Sequence, residues 1–442
     1  MKSIPAETPN APTLLRYAAI CLPLFGEQFL SAMPSAVLPA MRMDESLSLD
    51  DEMITAVLAS GMLINGLGKL FGGVLIDRYG ARSFLSWSML LMAAAALGFA
   101  LGRDLAAPLL GFVFLKLCAA GGWLCACKLM EQHFPRETWS WCFAVVGVGS
   151  RCGAVLARLG LGALLKKLAW RHVAIITAAF MLLLRYACLA VIPRASTRKE
   201  SQEASEMLPW WKRACAILCN TSMLLYFGVM AGATCLAASL DDDVALILQD
   251  VLQLDEADAS MASAVFPAGL VSSLLLAAPA YSFLERRRSK FILELSLQVV
   301  LVLVLYSLLQ LVLSGVQNRA FYEIGLFLIA FTVGLTYYVT PNAFPLSFGE
   351  DCAFASAVLD IAGLVAAFLF HTTSSKIFGS GGSWHHVLGI LLGFALLQLL
   401  CTAVLFLFPR LTPHLSAEAD RRPSHSEFEG VTSQIIGKRE EQ

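Results

Sequence analysis

The sequence predicts an all-α membrane protein, with twelve transmembrane helices in two six-helix bundles (6+6) around a central cavity. Three observations lead there. The 442 residues are 57% hydrophobic and only 15% charged, whereas a soluble domain carries about a quarter charged residues; mean hydropathy is +0.69. Apolar stretches of about 20 residues recur along the chain, each long enough to cross a hydrocarbon core of about 30 Å as a helix. A single polar break, PRASTRKESQEASEMLPWWKR at 193–213, falls near the middle. Backbone groups facing lipid must be satisfied within their own segment, so the spans are helices.

Spans are expected near 15–40, 53–77, 84–102, 107–130, 141–165 and 172–192, then 214–240, 260–283, 291–314, 321–345, 353–378 and 384–408. Residues 1–14 lack the basic start, short apolar core and cleavage site of a signal peptide, and read as a cytosolic tail. The first bundle covers 15–192, the linker 193–213 and the second bundle 214–408. The polar residues 409–442 read as a disordered cytosolic tail. Lys and Arg in short loops mark the cytosolic side: Arg78 and Arg82, Arg136, the linker, and Arg286 to Arg288 with Lys290. The loops on the other side are acidic, MDESLSLDDE at 43–52 and the triple Asp241 to Asp243, with Lys166, Lys167 and Arg171 as exceptions. Both termini then face the cytosol, in a plasma or organellar membrane. The alternating stretch 244–258 reads as a surface helix over the outer mouth.

Composition also excludes. A net charge of −1 offers nothing to nucleic acid. The twelve cysteines lie mostly inside apolar runs and read as small packing residues. Cys125 and Cys127 have no second pair at ligand spacing, so neither a metal nor another cofactor is expected. There is no G-x-x-x-x-G-K-[ST] to bind a nucleotide and no H-E-x-x-H or G-x-S-x-G to support an enzyme.

The loop between spans two and three reads Gly73-x-Leu75-x-Asp77-Arg78-x-Gly80-x-Arg82. With twelve spans and a central break, it resembles the cytosolic signature of the major facilitator superfamily. The resemblance implies a secondary transporter with a gating latch at Gly73, Asp77, Arg78, Gly80 and Arg82. Small residues let a neighbouring helix approach, and Asp77 is suited to cap a helix of the opposite half and accept from Arg78 or Arg82. A weaker echo follows span eight, where Glu285 and Arg286 stand in for Asp77 and Arg78.

Within the superfamily, KLCAAGGWLCACKLMEQHFP at 116–135 resembles the fourth span of the organophosphate:phosphate antiporters, through Lys116, Gly122, Trp123, Lys128, Phe134 and Pro135. Lys69 in GLGKLFGG and WRHV at 170–173 fit the same branch. The two arginines with which that branch holds phosphate are missing: Gly26 or Glu27 and Phe227 stand in their places.

Charges inside spans are the remaining signal, because each costs about 2.5–3.5 kcal/mol on insertion scales and so faces a cavity or a partner. Glu27, Lys69, Lys116 and Arg151 lie well inside their spans, with Arg158 seven residues beyond Arg151 and nearer the outer surface. They predict a positively charged cavity for an anionic or zwitterionic solute, with Glu27 as counter-ion or proton carrier. Alternatively, Glu27 pairs with Arg151 or Lys69 and only orients helices. Asp360 and His371, eleven residues apart in span eleven, share a face and are candidates for a proton relay. TYYVTPNAFP at 336–345 offers Tyr337, Tyr338 and Asn342 to a substrate, or simply packs against neighbours. Glu294 and Glu323 read as interfacial, and Arg185 as the partner of a carboxylate. The expected function is alternating-access transport of a small polar, anionic organic solute, by proton coupling or exchange, in a monomer. The alternative is a non-transporting sensor or scaffold on the same fold.

Overall fold

Helices follow one another with hardly a gap, as a chain of apolar runs and short polar loops requires. The computed structural model describes residues 13–44, 46–47, 49–102, 106–134, 139–192, 218–284, 286–338 and 352–408. The linker 193–213, the stretches 1–12 and 409–442, Glu285 and Asn342 lie outside the described residues, as do the side chains of Gly73, Asp77 and Arg78.

In the first half the helices are α1 (Thr13–Ser31), α2 (Met33–Arg42), α3 (Asp51–Tyr79), α4 (Ala81–Leu101), α5 (Ala106–Ala119), α6 (Gly122–His133), α7 (Trp139–Leu165) and α8 (Trp170–Val191). In the second they are α9 (Thr221–Thr234), α10 (Leu240–Leu252), α11 (Glu256–Ala262), α12 (Val265–Phe283), α13 (Arg287–Leu313), α14 (Arg319–Tyr338), α15 (Cys352–Gly379) and α16 (Trp384–Leu407). Four spans are broken into two helices each: α1 with α2, α5 with α6, α9 with α10, and α11 with α12. The result is twelve spans, six in each half. Among the described residues, ten helical segments are long and apolar enough to cross a bilayer; α1–α2 and α3 complete the set.

The breaks have local causes. The first span restarts at Met33, which places Pro34 in the opening turn of α2, where a missing N–H costs nothing. Gly121 and Gly122, poor helix formers, mark the break of the fourth span. A π-helical turn at Cys235–Ser239 joins α9 to α10. Such turns add a residue to the helix and rotate the residues beyond it.

That junction corrects two expectations. Residues 244–258 form no surface helix: 244–252 end the seventh span, which runs through its π turn from Thr221 to Leu252, and Glu256 opens the eighth. Asp241, Asp242 and Asp243 therefore lie in no external loop: all three are buried, at 8%, 8% and 1% exposure. Asp241 and Asp242 tolerate such a place because basic side chains of the first half meet them there.

The halves meet along α3 with α15, α7 with α11 and α12, and α2 with α10 and α11. At the Asp44 end, Arg42 donates to Asp250 at 2.5 Å, and the Trp384 indole donates to the same carboxylate at 2.8 Å. Two of the three exceptional cations of this end have partners. Lys166 pairs with Asp258 at 2.7 Å, and Arg171 lies 3.8 Å from Asp44 and donates to the carbonyl of Gly102. Outward faces stay apolar, as at Leu183, Leu276 and Phe283. The ten cysteines whose side chains are described are free thiols.

Candidate functional site

A cavity of about 190 Å³ lies between the halves. The first half lines it with Glu27, Lys69, Lys116, Arg151 and Arg158; the second with Asp241, Asp242, Tyr337, Tyr338 and Asp360.

Each cation has a partner from the opposite half. Lys69, midway along α3, donates to Asp360 of α15 at 2.7 Å. Lys116 donates to Asp242 at 3.2 Å and stands 5.3 Å from the Phe112 ring centre. It occupies the last turn of α5, where unpaired carbonyls favour a cation. Arg151 donates through Nε to the Tyr338 hydroxyl and through Nη1 to Asp241 at 3.4 Å. Its guanidinium lies over the rings of Tyr337 and Tyr338, 5.9 and 5.5 Å from their centres.

Arg158 is the most buried of the four, at 1% exposure, against the expectation that it approaches the outer surface. It donates to the Asp241 carboxylate at 2.5 Å, the Asp241 carbonyl at 2.7 Å and the Ser263 carbonyl at 3.2 Å. Ser263 is the C-cap residue of α11. One guanidinium thus ties α7 to the seventh span just after its π turn and to the eighth span at its break. Such multiple charge-assisted bonds are the strong ones.

Consecutive residues of a helix point about 100° apart, and the aspartate triple uses this divergence. Asp241 faces Arg151 and Arg158, Asp242 faces Lys116, and Asp243 turns into the second half toward His371, with 3.9 Å between Oδ2 and Nδ1.

Glu27 pairs with neither Arg151 nor Lys69. It is 8% exposed, feels Lys69 electrostatically, and has no ion pair among the described residues. Its carboxylate rests against Gly122, where an added Cβ would fall 1.3 Å from Oε2. The Gly-Trp pair that opens α6 is a glycine there because Glu27 fills the place of a side chain.

Asp360 and His371 are not brought together. Asp360 belongs to Lys69 and His371 to Asp243. Arg185 meets no carboxylate among the described residues but donates to the carbonyl and hydroxyl of Ser86, both at 2.9 Å. Glu294 is buried at 2% exposure rather than interfacial; Glu323 pairs with Arg319 at 2.6 Å on the surface. At the candidate latch, Gly80 has φ of 79°, a left-handed conformation that favours glycine. Arg82 donates to the Leu189 carbonyl of its own half at 2.7 Å. At the place of the second-half echo, Glu285 lies outside the described residues, and Arg287, opening α13, donates to the Leu405 carbonyl at the end of α16.

Sequence reasoning missed the aspartate triple as part of the site. A signal for it was present: VALILQDVL after the triple extends an apolar run, so the acids sit inside a span.

Comparison with known proteins agrees with this fold. The family model described as Major Facilitator Superfamily matches residues 20–370. Among solved structures, a mutant of the nucleoside transporter NupG is similar at a TM-score of 0.66 and 14% identity, over 88% of this chain and 100% of that one. At that identity the likeness concerns the fold alone. No curated protein matches the sequence.

Proposed function

The chain belongs to the major facilitator superfamily, and from that membership we propose that it carries a small polar organic solute with an anionic group across the membrane by alternating access. The observation behind this reading is the set of ion pairs across the cavity. Lys69, Lys116, Arg151 and Arg158 of one half are held by Asp360, Asp242 and Asp241 of the other. An anionic group entering the cavity competes with these carboxylates for Lys116 and Arg151, loosening bonds that hold the halves together. Binding energy is thereby spent on the conformational change, as a ligand must do to shift an equilibrium.

The cavity lining balances four carboxylates against four cations, which favours zwitterions over polyanions. Glu27, with no ion pair of its own among the described residues, is the place for the cationic group of such a solute. Tyr337 and Tyr338 supply aromatic faces and hydroxyls. The organophosphate branch is less well supported, because that branch's two arginines are absent and the cations present are already paired. In the orientation set by the basic loops, the Gly80 end faces the cytosol, as do both termini. The Arg42–Asp250 contact then closes the outer mouth.

Uptake into proteoliposomes, with a panel of anionic, zwitterionic and neutral metabolites, tests the reading. Solutes with an anionic group are expected to accumulate, and Arg151→Ala is expected to weaken their binding by at least about tenfold, the equivalent of one lost charge-assisted bond. Uptake confined to neutral solutes, or unchanged affinity in Arg151→Ala, would return Arg151 to a structural role.

A further inference from the structure

Asp243 and His371 stand apart from the substrate cavity and line none of it. Both are sealed, at 1% and 0% exposure. Among the described residues, Asp243 Oδ1 and both ring nitrogens of His371 have no hydrogen-bond partner. The hydroxyls of Ser239, one turn before Asp243, and Ser374, three residues after His371, are likewise buried without partners among those residues. The His371 ring lies edge-on against Phe370, 5.0 Å between centres, so no polar group replaces the missing bonds from that side.

An unpaired carboxylate in such a place is costly, and the histidine nearby does not offset it unless a proton is present. One proton makes the pair neutral overall, as a carboxylic acid beside an imidazole, the arrangement that leaves no charge in a sealed site. Without it the site carries a bare negative charge. We propose that Asp243 and His371 together form a binding site for one proton, and that this site couples proton movement to the substrate cavity.

The coupling has a physical path. Asp242 holds Lys116 from the opposite half at 3.2 Å, and the next residue, Asp243, lies 3.9 Å from His371, so a change of charge at the pair acts one residue from the Lys116 contact. Loaded with a proton, the pair leaves Lys116 to Asp242. When the proton leaves for water on the side then open, the pair's negative charge draws Lys116 away from Asp242, and one bond between the halves loosens. The balance is one proton bound from one side and one released to the other. The other charged groups near the two helices are engaged elsewhere or outlying: Asp241 with Arg151 and Arg158, Asp360 with Lys69, Glu52 beside Gly379, and Lys376 exposed.

The proposal rests on the transporter reading, but its first test does not need a substrate. Infrared difference spectra of the full chain in lipid nanodiscs, titrated from about pH 5 to about pH 9 around the ordinary histidine range, are expected to show a carboxylic C=O band that titrates. The band should survive Glu27→Gln and vanish in Asp243→Asn. In His371→Gln its midpoint should move by at least about one pH unit, the scale of a lost close charge partner. A titrating band that persists in Asp243→Asn, or no titrating band, overturns the site. If Asp243→Asn does not fold, the His371→Gln spectrum decides, and an unmoved midpoint overturns it. In proteoliposomes, uptake in the wild type is expected to respond to a pH gradient and uptake in His371→Gln to lose that response. A response that survives in His371→Gln overturns the coupling. If no solute is taken up at all, the transport reading fails while the infrared result still stands or falls alone.

Discussion

The two halves of the molecule each supply six spans, but they supply opposite members of the ion pairs at the cavity. At the cavity the first half presents Lys69, Lys116, Arg151 and Arg158, and the second presents Asp241, Asp242 and Asp360. Every one of these cations finds its acid across the divide. Neither half alone can satisfy its intramembrane charges, so each is a poor membrane protein without the other. Elsewhere two contacts of the first half recur in the second. Arg82 at the start of α4 donates to a carbonyl at the end of α8, and Arg287 at the start of α13 donates to one at the end of α16. Trp170 donates to Asp44 in the first half, and Trp384 to Asp250 in the second. The repeats hold each bundle together; the asymmetry in charge holds the bundles to each other and is where a solute can intervene.

The most damaging way to break that asymmetry is Asp241→Asn. It leaves Arg151 and Arg158 without a carboxylate in a site where both are almost wholly buried. Loss of one partner from a buried pair costs about 3–5 kcal/mol, so thermal unfolding in detergent should show the largest drop of any single cavity change. Arg158→Met should cost less, because Asp241 keeps Arg151. Combining the two should cost less than their sum, as coupled sites do. Strict additivity would separate Arg158 from Asp241.

A smaller effect is expected at Lys69 and Asp360, whose side chains keep 19% and 21% of their exposure. Partial solvation lowers the value of the pair. Lys69→Met or Asp360→Asn alone should destabilise by about 1–2 kcal/mol, between exposed and buried pairs. The double variant should recover part of that loss. Asp360→Asn should also favour conformations in which α3 and α15 separate, read as faster labelling of a cysteine introduced at Leu364. Unchanged labelling would mean that the pair does not hold the halves closed.

How much of this is legible in the sequence depends on the range of the interaction. Twelve spans follow from local hydropathy, and the structure has them; the restart at Met33 with Pro34 and the left-handed Gly80 are likewise local backbone chemistry. Lys69, Lys116, Arg151 and Glu27 announce themselves as charges in apolar runs, and all four line the cavity. Their partners do not, because pairing between residues such as Lys69 and Asp360, separated by 291 positions, leaves no local pattern. The aspartate triple misleads for a different reason. Three acids together look like a loop, and only the apolar run beyond them, together with a π turn that local propensity does not encode, places them inside the span. Helical periodicity within one helix assigns His371 to Asp360, when its nearest carboxylate comes from another helix.

The mildest test compares the two tryptophan–aspartate contacts. Asp44 lies outside the spans, and its carboxyl is held below the usual aspartate range, first by the Ser46 hydroxyl, then by the Trp170 indole, with Arg171 adding to the effect and partial burial opposing it. A carboxyl lowered in the folded state stabilises the fold at pH values above its unfolded value, about 3.9, and that contribution disappears as pH falls through the lowered folded value. Asp44→Asn should therefore cost about 1 kcal/mol near neutral pH, the scale of a hydrogen bond to a charged group that is partly exposed. The gap from the wild type should close at strongly acid pH. A gap that stays constant with pH would mean that the ring and hydroxyl contacts matter only for packing. Asp250→Asn should behave differently from Asp44→Asn, because Asp250 binds Arg42 of the opposite half as well as Trp384 of its own. Its loss should shift the balance between closed and open states at the Asp44 end, where loss of Asp44 only softens the first bundle.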